Sequence, residues 1–110
     1  MPKKHPPKVT CPKHITGEAR KWFRSMVDAY SGFEDEPNAV SILVEAAVQL
    51  QRIEAYRRDI ETRGVAVEDR FGVLKENPSC PGERAAANLH RLLVRELGLE
   101  PSVVDESTRV

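Results

Sequence analysis

The sequence predicts a mainly α-helical chain: a three-helix core with a small β-hairpin between the second, long helix and the third, working as an oligomer. Three observations predict it. Apolar residues recur at helical spacing over three separate stretches, and a glycine-centred strip between the second and third stretches alternates apolar with polar residues. The chain has 110 residues, enough for one modest core that leaves much of its surface exposed, so that self-association would help it.

The first helix is written in ITGEARKWFRSMVDAYSG. Thr16 stands at the N-cap position, Glu18 lies in the first turn and Gly32 follows the last periodic residue. Ala19, Trp22, Phe23, Met26, Val27 and Tyr30 form one stripe. The lone Trp22 on that stripe reads as core rather than as a base-stacking platform. Arg20, Lys21 and Arg24 fall off the stripe and give the helix a short basic face.

The segment FEDEPN reads as a turn, with Pro37 suited to the first helical position. Helix capping explains Glu34, Asp35 and Glu36 as well as metal binding would. NAVSILVEAAVQLQRIEAYRRDIETRG follows as the longest helix, roughly 25 residues or about 37 Å. Leu43, Ala46, Leu50, Ile53 and Ile60 make one stripe, interrupted by Arg57, and Val40, Val44, Ala47 and Val48 make a second beside it. Two apolar faces ask for two neighbours. One is the first helix; the other is either the third helix or the same helix of a second subunit, so Leu43, Leu50, Ile53 and Ile60 are assigned to core and oligomer contacts.

Gly64 closes the long helix, VAVED alternates, RFG turns and VLKEN returns, which predicts a hairpin at about residues 65–76. A two-stranded hairpin is marginal alone. Phe71 is therefore expected to anchor it against a helix or a neighbouring subunit, with Gly72 allowing a positive-φ turn. The third helix lies in PSCPGERAAANLHRLLVRELGLEP, with Ala85, Ala86, Leu89, Leu92, Leu93 and Leu97 as its stripe and Gly98 and Pro101 as its stop.

Charge divides the chain. Lys+Arg and Asp+Glu balance at 17 each, yet residues 1–24 hold Lys3, Lys4, Lys8, Lys13, Arg20, Lys21 and Arg24 against Glu18 alone. A basic end joined to an acidic body suits an anion such as nucleic acid at one surface and a different partner at another. Residues 1–14 carry four prolines and four lysines, and read as a flexible basic arm; residues 15–100 form the helical domain, and 101–110 a polar tail. Those seven basic residues are the candidate DNA contacts, made to phosphate and hence with little sequence reading.

No phosphate-binding loop, zinc-protease helix or nucleophile elbow occurs, so no catalytic residue is assigned and an ATPase or common hydrolase is not expected. Cys11 with His14, and Cys80 with His90, do not have the spacing of a zinc finger; two ordinary thiols and surface histidines are expected, with no metal and no cofactor. No apolar run approaches a membrane span or a leader peptide, so a cytosolic protein without a membrane partner is expected.

The order of PKHITGEARKWFRSMVDAY, then ETRGVAVEDRFGVLKENP, then AAANLHRLLVRELGLEP resembles the short small subunits of tailed-phage terminases, from about Pro12 to Pro101. Asn77, where such sequences often place a histidine before proline, departs from the pattern. The resemblance implies a ring-forming homo-oligomer, without a catalytic centre, that binds double-stranded viral DNA in the host cytoplasm. It would deliver that DNA to the large terminase subunit and regulate its ATPase and nuclease activities. The alternatives are a small helical transcriptional regulator or antitoxin-like dimer, for which no base-reading recognition helix is found, and a purely structural helical interaction module.

Overall fold

The computed structural model describes residues 9–30 and 32–98. Its elements are α1 (Gly17–Ala29), a short 3-10 turn at Phe33–Asp35, α2 (Pro37–Arg63), β1 (Ala66–Glu68), β2 (Leu74–Glu76) and α3 (Ser79–Leu97). The expected mainly helical fold is therefore present, with the hairpin between the second and third helices. Lys3, Lys4, Lys8 and the tail at 101–110 lie outside the described residues.

Helix α2 is 27 residues long, about 40 Å. It begins on Pro37, whose missing N–H would find no partner in a first turn anyway. Gly64 ends it at φ 90, a conformation that a side chain would oppose, and its N–H donates to the Ile60 carbonyl at 2.7 Å. On one face of α2, Leu43 and Ala47 meet Phe23, Ala19, Phe33, Ile15 and Cys11 in a buried cluster, with Leu50 half-buried against it.

The other face belongs to α3, which lies antiparallel on α2. His90 binds the Ala46 carbonyl through Nδ1 at 2.8 Å, Arg57 pairs with Glu83 at 2.6 Å, and Ser79 donates its hydroxyl to Asp59 at 2.7 Å. Both apolar faces of α2 are thus covered within one chain. Leu43 and Ile53 are buried there and Leu50 and Ile60 are half-buried, so the two stripes do not require a second subunit. His90, expected at the surface, instead joins three helices, because its ring also meets Trp22 edge-to-face with centroids 5.0 Å apart.

Close approach of α3 to α2 depends on Gly82. A Cβ there would lie 2.7 Å from Cζ of Tyr56 and 2.8 Å from its Cε1. Gly82→Ala should therefore destabilise the fold by about 1–2 kcal/mol despite alanine's better helix propensity. In a Tyr56→Ala background the clash is gone, and the same change should stabilise by up to about 1 kcal/mol. Urea midpoints of the four chains check this reversal of sign.

The hairpin is antiparallel, with Ala66 opposite Glu76, Val67 opposite Lys75 and Glu68 opposite Leu74. Gly72 has the expected positive φ, 78. Of the two surfaces expected to receive Phe71, the helices of its own chain do not cover it: the ring is 77% exposed. The ring belongs to the Asp69–Val73 loop, which lies beyond the last paired residues, Glu68 and Leu74. Within α3 the stripe is also narrower than its leucines suggest. Ala86 is buried and Leu93 and Leu97 are half-buried, but Leu89 and Leu92 remain 42% and 53% exposed.

Candidate nucleic-acid interface

Residues 9–15, the described part of the segment before α1, pack on the core. The sequence predicts residues 1–14 as an arm with almost nothing to bury, yet within it Cys11 is buried and Val9 packs against the same cluster, next to the buried Ile15. Two side chains hold this segment. Gln51 on α2 accepts the Thr16 N–H at 2.7 Å and donates to the His14 carbonyl at 3.0 Å. Arg20 on α1 donates through Nη1 to the carbonyls of Pro12 at 3.1 Å and Ile15 at 3.0 Å. Thr16 occupies the N-cap position, but its hydroxyl makes no capping bond.

Arg20 is consequently half-buried and tied to the backbone, unlike the solvent-facing cation expected for it. Lys13, Lys21 and Arg24 are exposed as expected. Lys21 lies 3.5 Å from Glu18 in a well-solvated pair, which contributes little and leaves the ammonium available to an anion. Arg24 makes no ion pair among the described residues. The outward face of α1 also carries Glu18 and Asp28. The surplus of positive charge at this end therefore comes from Lys13 and the lysines that precede Val9, with α1 adding two positioned cations.

A second set of residues carries no comparable signal in the sequence. Asn77 is fully buried at the exit of the hairpin. Its Nδ2 donates to Asp59 at 3.1 Å and to the Gly64 carbonyl at 2.8 Å, while its Oδ1 accepts the Ser79 N–H at 2.9 Å and Nη2 of Arg63 at 3.3 Å. Its backbone N–H donates to Val65 at 2.8 Å. Asp59 also accepts two bonds from Arg63, at 2.8 and 2.9 Å. The Arg63 guanidinium and the Ser79 hydroxyl hold the Asp59 carboxyl well below the usual carboxylate range. The only legible hints are the i, i+4 pair Asp59 and Arg63 and an Asn before Pro ahead of a helix; neither signals that they converge.

The hairpin tip is equally well defined. Asp69 Oδ1 accepts the N–H of Phe71 at 2.8 Å and of Val73 at 3.0 Å, and these two bonds are the chief reason its carboxyl titrates below the ordinary value. Lys75 lies 3.4 Å from the other oxygen. Arg70 stacks over the Phe71 ring at 5.3 Å.

Among the described residues, no group of three or more His, Cys, Asp or Glu side chains is placed to hold a metal ion. No helix among them is long and apolar enough to cross a membrane. No protein-family model, curated protein or solved structure matches this chain.

Proposed function

We propose that the chain is a non-enzymatic DNA-packaging adaptor, the small subunit of a phage terminase. It binds double-stranded viral DNA through its basic end, assembles with copies of itself, and presents the DNA to the large ATPase and nuclease subunit. The observation that supports this most directly is the division of labour along α2. The last anchor of the basic segment is Gln51 and the hairpin begins after Gly64, about 20 Å further along the helix. The exposed Lys13 beside that anchor thus stands apart from the uncovered Phe71, Val73 and Leu74 of the hairpin, a separation that suits a subunit holding an anion and a protein partner at once.

A salt titration on duplex DNA tests the anion half. Neutralising Lys13, Lys21 and Arg24 together should flatten log K against log salt by up to about 0.9 for each phosphate no longer neutralised, with non-specific duplex affected nearly as much as any cognate site. Neutralising Lys3, Lys4 and Lys8 should flatten it by the same rule. Arg20→Ala should act differently, by loosening the Val9–Ile15 segment and lowering stability. An unchanged slope in both sets of variants would leave the charge asymmetry as a solubility feature and remove the DNA assignment.

A further inference from the structure

Among the described residues nothing covers the hairpin tip or the outer edge of α3, and the two match each other. On the tip, Phe71 is 77% exposed with the Arg70 guanidinium stacked on its ring. Four hydrogen bonds within Asp69–Val73 fix the loop: the two to the Asp69 carboxylate, Asp69 N–H to Val73 O at 2.9 Å, and Gly72 N–H to Asp69 O at 3.0 Å. An aromatic on a fixed loop beside an arginine loses little freedom on docking, and aromatic residues and arginine are enriched at protein interfaces.

On α3, Ala85, Leu89, Leu92 and Glu96 are all exposed and follow one another at i, i+4, i+7 and i+11. That spacing places them in one line along the helix, beside the face that α2 covers. Glu96 has no ion pair among the described residues. Arg95, the nearest cation in sequence, lies about 90° round the helix from this line, and Arg91 is engaged with Asn88 at 2.7 Å. The edge therefore offers an apolar strip ending in a carboxylate; the tip offers an apolar ring beside a guanidinium.

The two cannot meet within one chain. The tip extends from the end of α2 at Gly64, whereas His90, between Leu89 and Leu92, is bonded to Ala46, about 27 Å back along the helix. We propose that the tip of each chain docks on the α3 edge of the next copy, with Phe71 against Leu89 and Leu92 and Arg70 paired with Glu96. Because the two surfaces differ, the contact is head-to-tail and leaves one unused surface at each end until a ring closes. The contact deepens the proposed self-assembly and does not depend on DNA binding.

Two variants test it without DNA. Phe71→Asp destroys the tip and leaves the edge; Leu92→Lys destroys the edge and leaves the tip. Both positions are exposed, so circular dichroism and the urea midpoint should stay near wild type. Light scattering should give a mass of several subunits for wild type and of one subunit for each variant. An equimolar mixture should give two subunits and nothing larger, since one intact tip and one intact edge remain. A charge exchange, Arg70→Glu with Glu96→Arg, should restore the assembly that either change alone weakens. A monomeric wild type, either variant at wild-type mass, or a mixture that stays monomeric would each overturn the contact. The salt titration stands or falls separately, so loss of this interface and loss of the DNA assignment are told apart.

Discussion

Phe23→Ala should lower the unfolding free energy by about 3–5 kcal/mol, a large share of what a domain of this size has. The ring is fully buried where four segments meet: Cys11 and Ile15 before α1, Ala19 on α1, Phe33 in the 3-10 turn, and Leu43 and Ala47 on α2. Ala19 and Ala47 are too short to fill the space it would leave, and the other walls are held from different parts of the chain, so relaxation cannot close the cavity. Urea denaturation checks this through the midpoint at unchanged slope. A midpoint within experimental error of wild type would mean that the ring is not a core residue. The change should also release the Val9–Ile15 segment, and with it the position of Lys13.

Asn77→Ala should cost about 3 kcal/mol and free the hairpin. The side chain is fully buried and its amide satisfies four partners at once, on α2, at Gly64 and at the start of α3. Removing it strands the Gly64 carbonyl and the Ser79 N–H and weakens the seat of Asp59. Hydrogen exchange should show the amides of residues 65–76 losing protection before those of α2. The same node sets an acid limit. Asp59 has a depressed value in the folded chain, so its ionised form favours the fold above its ordinary value of about 4, and that contribution is lost as pH falls from there towards the depressed value. Asp59→Asn should flatten the dependence of stability on pH below about 4, and a slope equal to wild type would contradict the geometry at Asn77.

The three helices are legible because each carries an apolar stripe; Gly64 and Gly98 end α2 and α3 as their positions suggest, whereas α1 ends at Ala29, short of Gly32. The hairpin was legible from alternation and from Gly72. Periodicity could not tell which neighbour covers a stripe. The second face of α2 suits a helix of its own chain or of another equally well, and only the reversal through the hairpin brings α3 onto it. The exposure of Phe71 within its own chain is illegible for a related reason. An aromatic in an apolar strip reads as buried, whereas its exposure depends on the five-residue loop that Asp69 organises. Arg20 reads as surface charge from its place off the stripe, yet it caps two carbonyls of a segment whose few apolar residues, Val9, Cys11 and Ile15, looked too sparse to pack. The exposure of Lys13, Lys21 and Arg24 is legible because a helix face or loop needs no partner to keep a charge in water.

The clamp of Gln51 on His14 and Thr16 also makes the first part of the chain dependent on the second while it folds. Helix α1 ends at Ala29, but Leu43 and Ala47, which cover Phe23, and Gln51, which fixes the preceding segment, all belong to α2. In a partly folded chain Phe23 and Met26 therefore lack their cover, and the lysines and arginines beside them act as gatekeepers that keep such chains apart by repulsion.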